Sequence, residues 1–276
     1  MPHASESIEP TTLPAFGSAR IRGINWLGVW TLYVKEVLRF TNLYLQTILA
    51  PVVTTLLYFA IFALAIGTSR PAVHGIPFTQ FLAPGLIMVA IIQNAFANSA
   101  SSILGAKIQG NIVDLLMPPL SHGEVAAAVI LGGVSRGVAV ALVNLLALMP
   151  FVTPDMPHPW IALYFGLMAS VSLSASGMLA GIWAEKFDHM ASVTNFVILP
   201  LSFLSGSFYS VAMLPPAFQA INAFNPFFYL IDGMRYGFTG VSDSNIAFGM
   251  LVVSCVAAAL WIACYQIVKT GWRLKA

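Results

Sequence analysis

Ser174-Ala175-Ser176-Gly177 is the run whose residue types come nearest to a nucleophile. A serine hydrolase needs a histidine within hydrogen-bond reach to take up the hydroxyl proton. The last apolar run, where an intramembrane serine protease would carry that base, contains no histidine. His3, His74, His122, His158 and His189 fall in tails or loops. The serines therefore read as small residues at a helix crossing. No H-E-x-x-H pair is present to hold zinc. Cys255 and Cys264 lie nine positions apart in one helical run, on opposite sides, and cannot bridge. No G-x-x-x-x-G-K-[ST] loop and no Gly-Lys dipeptide occurs, so nucleotide phosphates find no cradle in this sequence. What remains is a charge in an apolar setting. Arg136 stands inside a hydrophobic run among Gly132, Gly133 and Gly137, and such a charge needs a partner or water. Two readings stay open: it faces a translocation path or a subunit seam, or it snorkels to the interface.

The elements around that arginine are set by composition. The 276 residues are 58% hydrophobic and 8% charged, with a mean hydropathy of +0.85. Soluble domains carry roughly 25% charged residues, so the chain falls outside that class. A bilayer core about 30 Å thick takes roughly 20 apolar residues per helix. Six runs meet this, approximately Leu45 to Gly67, Phe81 to Leu104, Val125 to Phe151, Trp160 to Trp183, Ala191 to Val211, and Ile246 to Val268. Backbone groups in lipid must bond within their own segment, so each run is expected to be a helix. Residues 1–24, with Pro2, Pro10 and Pro14 among Ser, Thr and Glu, read as a flexible arm, and 25–276 as the transmembrane domain. A net charge of +2 gives no reason to expect a nucleic-acid partner.

Charge distribution sets the orientation. Arg20, Arg22, Lys35 and Arg39 precede the first span, Lys107 follows the second and Lys186 the fourth, and Lys269, Arg273 and Lys275 close the chain. The opposite side holds Arg70 and Arg235, so both termini are expected in the cytoplasm. Trp26, Trp30, Tyr33 and Val37 recur at helical spacing, with Lys35, Glu36 and Arg39 on the other side. This pattern predicts a helix in the headgroup plane, aromatics toward the membrane and charges in water.

Between the second and third runs lies Lys107 to Leu116. Ile108, Ile112 and Leu115 form an apolar stripe, with Lys107, Gly110 and Asp114 roughly opposite. Pro118 and Pro119 stop the helix, and Ser121-x-x-Glu124 is a capping box for the next one. A short helix tied at both ends suits transmission of a push from a partner; a plain surface loop helix is the other reading.

Gln80 through Glu124, with its F-x-x-P-G-L-I-M opening, A-N-S-A-S-S-I-L-G-A-K passage and P-P-L ending, resembles the ABC-2 type transporter permeases. The likeness is greatest to the YadH-like and nodulation-type exporter branch. Leu214-Pro215-Pro216, Asn225-Pro226, Tyr229 and Arg235-Tyr236-Gly237-Phe238 extend it toward the C-terminus. The resemblance implies a fold class: all-α integral membrane, six transmembrane helices, an N-terminal interfacial helix, a cytoplasmic coupling helix and an outer re-entrant helical pair. It implies an inner-membrane exporter subunit that moves an amphiphilic, saccharide or drug-like substrate, working as a homodimer in the lipid bilayer. A separate ABC ATPase would drive it, with ATP and magnesium on that partner and no cofactor on this chain. Lys107, Ile108, Ile112, Asp114, Leu115 and Leu116 would then form the ATPase-coupling surface, and Trp26, Trp30, Tyr33, Lys35 and Arg39 the interfacial helix.

Beyond the fifth run, Leu214-Pro215-Pro216 and Asn225-Pro226 are each expected to start a short helix, with Asn225 as N-cap and Pro226 at the first turn. Asp232 and Arg235, three apart, are expected to pair. Arg136, Tyr209, Asn225, Tyr229 and Arg235 are candidates for the translocation path; for the tyrosines an interfacial aromatic belt is the alternative. The alternative function is a secondary transporter or channel. Such proteins place acids near the membrane midplane, whereas Glu36, Asp114, Glu124, Asp155, Glu185, Asp188 and Asp243 fall at run ends or loops and Asp232 in the expected re-entrant turn.

Overall fold

The computed structural model describes residues 23–65, 67, 72–73, 75–153 and 155–274. The arm expected over residues 1–24 lies outside them apart from its last two residues. Arg70, Lys275 and the side chains of Leu115 and Leu116 also lie outside them.

Among the described residues, six helices are long and apolar enough to cross a membrane, and they fall on the six expected runs. Preceded by α1 (Trp26–Thr41), they are α2 (Leu45–Ala65), α3 (Phe78–Ile108), α5 (His122–Leu148), α6 (Pro159–Trp183), α7 (Phe187–Leu204) and α10 (Ile246–Thr270). A short α4 (Ile112–Leu116) joins α3 to α5, and α8 (Pro216–Ala223) and α9 (Pro226–Thr239) lie between α7 and α10. A two-stranded hairpin, Ala72–Val73 against Ile76–Pro77, precedes α3.

Helix α3 is the axis of the bundle, packing on α6, α5, α9 and α2. Small residues allow its close approach to α6. A Cβ at Gly177 would strike the Phe96 carbonyl, and one at Gly181 would crowd Ala100 and Ile103. Ser174 serves the same crossing: its hydroxyl donates to the Ile130 carbonyl at 2.9 Å and meets the Ser99 hydroxyl. The serine run is thus packing, as expected.

Three expectations about elements are corrected. The fifth span ends at Leu204, seven residues before Val211, because Gly206 takes a left-handed φ of +82° and Ser207 donates back to the Ser202 carbonyl. Lys107 to Leu116 is not one helix. Helix α3 runs on to Ile108, Gly110 turns the chain at φ +74°, and α4 begins afresh at Ile112. Finally, α1 does not leave Glu36 and Arg39 in water. Leu32, Glu36 and Phe40 form its buried face, while Trp26, Trp30 and Lys35 stay exposed.

Helices α2 and α7 share a local signature. Each opens a wide, π-type turn, Leu45–Leu49 in one and Thr194–Ile198 in the other, and each turn is followed two residues later by a proline, Pro51 or Pro200. A proline ring clashes with the carbonyl four residues back and removes a donor. An inserted residue relieves that conflict at the cost of regular pairing.

Candidate functional site

One candidate surface is the turn between α3 and α5. Ile112 is buried in a cluster with Ile103, Val125 and Val129, while Val113, Asp114 and Met117 are exposed, as is Ile108 at the end of α3. The expected stripe is therefore rotated: Ile112 anchors α4 to the bundle and Val113 and Met117 carry the free apolar face. Lys107 is not on that face. Its Nζ donates to the Ile182 and Ala184 carbonyls at 2.6 and 2.7 Å, capping the end of α6. Arg273 donates to Trp183 of the same helix end and pairs with Glu185 at 3.6 Å. The capping box forms as predicted, and Glu124 does more than close it. Its second oxygen accepts from the Asn25 N–H at 2.6 Å, tying the start of α1 to the start of α5.

Helix α1 is fixed a second time along its length. Arg39 pairs with Glu36 at 3.0 Å and donates to the Asn98 carbonyl and the Ser101 hydroxyl of α3, while Glu36 accepts from Ser102 at 2.6 Å. Tyr33 meets Ser135 of α5 at 2.8 Å. A helix expected to float in the headgroups is bolted to the bundle by a charge pair that lies against α3.

The second candidate is a groove of about 310 Å³ between α2, α3 and α7. Gln46, Thr54 and Tyr58 line it from α2, Gln93 and Asn94 from α3, and Thr194 from α7. Both wide turns therefore border the same opening, through Gln46 and Thr194. Arg136 lies behind the wall. Its Nη2 donates to Asn94 Oδ1 at 2.8 Å, and the Asn94 amide donates in turn to the Ala90 carbonyl. Sequence reasoning named Arg136 and missed the groove residues. The signal was there: Gln46, Ala50, Thr54 and Tyr58 recur every four residues, which is one face of a helix.

The remaining candidates gather elsewhere. Asn225 caps α9 by accepting from the Phe227 N–H at 3.0 Å, and its amide donates to Ser205 at 2.8 Å. Tyr209 donates to the Leu204 carbonyl, and burial holds its phenol above the ordinary tyrosine range. Tyr229 is buried against Phe228 and Phe248, with its hydroxyl on the Ala223 carbonyl. Arg235 is buried on the Gly206 carbonyl with its guanidinium 3.9 Å from the centre of the Phe81 ring. The expected Asp232–Arg235 pair is corrected: Asp232 accepts from the Asp243 and Ser244 N–H groups and the Ser244 hydroxyl. Loop donors reach Asp232 in good geometry, and the ring and carbonyl hold Arg235. Tyr209, Asn225 and Arg235 thus meet one turn, residues 201–209, and not the groove.

Comparison with known proteins covers nearly the whole chain. Residues 28–239 match the family model for the ABC-2 type transporter. The chain is 39% identical over 253 residues to the inner membrane transport permease YadH of Escherichia coli strain K12, spanning 91% of this chain and 98% of that protein. Nodulation protein J of Rhizobium leguminosarum bv. viciae is 27% identical over 265 residues, 90% and 94% of the two chains. Nodulation protein J of Rhizobium meliloti strain 1021 is 22% identical over 226 residues, 77% and 80%.

Proposed function

Since the chain belongs to the ABC-2 type transporter family, we propose that it is the permease half of an exporter whose ATPase is a separate polypeptide. The observation that carries this reading is α4: a five-residue helix, anchored inward by Ile112, that offers Val113, Asp114 and Met117 outward between two spans. A buried anchor with an exposed apolar face is what a seat for another protein requires. The seat is joined to the bundle by short links, so displacement there is carried into α3 and α5. The absence of any phosphate-binding loop in this sequence agrees with nucleotide chemistry elsewhere. The side bearing α4 is the cytoplasmic one, the membrane is the inner membrane, and α8 and α9 form a re-entrant pair on the outer side. The groove between α2, α3 and α7 is the transport path, completed by a second copy of the chain, because a polar wall in a bilayer must be covered.

The test uses the full chain expressed with its ATPase subunit. Val113→Asp combined with Met117→Asp leaves Ile112 and the bundle untouched. The expected result is loss of co-purification by about tenfold or more, with normal elution of the permease itself, on the scale of a disrupted interface anchor. Undiminished co-purification would show that the ATPase does not seat on α4.

A further inference from the structure

We propose that the groove between α2, α3 and α7 selects amphiphiles bearing an anionic headgroup, through the unneutralised charge of Arg136 behind its wall. The inference rests on the reading of this groove as the transport path and adds its charge selectivity.

Three arginines of the described residues are held within the bundle, and two are compensated. Arg39 pairs with Glu36. Arg235 lies in the field of the Asp232 and Asp243 carboxylates. Arg136 differs. It stands fourteen residues into α5, about 21 Å along a helix rising 1.5 Å per residue, and so near the middle of the span. Its side-chain partner is the neutral oxygen of Asn94. No carboxylate lies within ion-pair distance of it among the described residues. A cation at this depth without a counter-ion is costly, and proteins keep such charges where they act on something that passes.

The groove is one side chain away. Asn94 lines it, accepting from Arg136 and donating to Ala90, and so holds the guanidinium behind the wall. The polar groups that face the opening are neutral: Gln46, Thr54, Tyr58, Gln93 and Thr194. They can hydrogen-bond a headgroup, and no acid among the lining residues offsets the field of Arg136. In a low-dielectric setting a charge at this range is felt strongly. The opening lies between α2 and α7, two spans with only 17% of their apolar stretch buried, so an apolar body can follow the headgroup from the side. The chemical class is a phosphate, sulfate or carboxylate on an apolar anchor.

The experiment needs no ATPase, so its outcome is separate from that of the α4 test. The full chain in nanodiscs is titrated with NBD-labelled phosphatidic acid and with NBD-labelled diacylglycerol of identical acyl chains, read by energy transfer from tryptophan. The expected result is a preference for phosphatidic acid of about tenfold, which corresponds to about 1.4 kcal/mol. Arg136→Gln should reduce the preference to about twofold or less, and Arg136→Lys should retain most of it. If Arg136→Gln does not fold, Gln93→Glu serves: it leaves Arg136 in place, sets a carboxylate on the wall and should abolish the preference. Excess inorganic phosphate should not displace the lipid probe. A wild-type chain without preference, a preference that survives both Arg136→Gln and Gln93→Glu, or displacement by inorganic phosphate would each overturn the proposal.

Discussion

Helices α3 and α7 are both apolar spans, yet the protein treats them oppositely. In α3, 83% of the apolar stretch is buried; in α7 the figure is 17%. Helix α3 carries Pro84 within a regular helix, held by neighbours on every side, and a Cβ at the adjacent Gly85 would strike the Ser207 carbonyl. Helix α7 meets Pro200 only after widening a whole turn. It also has space on two sides: the polar groove toward α2, and an apolar crevice of about 330 Å³ toward α6, α9 and α10. Dense packing makes α3 a wall. Weak packing, a wide turn and free volume make α7, with its counterpart α2, the part of the bundle able to shift.

The largest expected effect comes from attacking the wall. Gly177→Val forces α6 away from the Phe96 carbonyl, and overpacking of this kind costs about 3 kcal/mol or more. The chain should be lost from the monodisperse fraction on size exclusion; normal elution would mean that the α3–α6 contact is not what holds the bundle. Next comes the bolt on α1. Glu36→Ala leaves Arg39 without its partner against α3, and because Arg39 is one-third exposed the loss should be about 2 kcal/mol, read as a lowered Tm in detergent. The double change Glu36→Ala with Arg39→Met should recover part of it, since no lone charge remains. In the loose spans, Pro51→Ala and Pro200→Ala should change stability by less than about 1 kcal/mol while slowing transport several-fold in proteoliposomes, because regular helices lose the wide turns. Transport at the wild-type rate in both would remove the hinge role. The smallest effect belongs to the outer face of α2: Leu57→Ala, at an exposed site, should shift Tm by no more than about 0.5 kcal/mol equivalent. A large loss there would show that a second copy or another element packs on that face.

Much of the architecture was legible residue by residue. The six apolar runs became six helices because hydropathy alone demands internal backbone bonding in lipid. Ser121-x-x-Glu124 and Asn225-Pro226 formed the caps they spell, since a cap needs only neighbours three residues away. Failures came where a long-range partner outbid a local pattern. Lys107 belonged by spacing to the coupling segment, but the free carbonyls at the end of α6 took it. Glu36 and Arg39 belonged by spacing to a solvated face, but Asn98, Ser101 and Ser102 on α3 drew them inward. Asp232 gave up Arg235 for the backbone of a loop eleven residues away. Ile112 kept its apolar character but pointed inward, because Gly110 reset the helical phase.

The sequence by itself determined the helices and their caps, because these depend on composition and on contacts within one turn. Only the tertiary structure decided which polar groups share a groove, which arginine stands without a counter-charge, and which spans are gripped. Those outcomes depend on what distant segments bring to the same place, and no periodicity within a single helix encodes its neighbour's face.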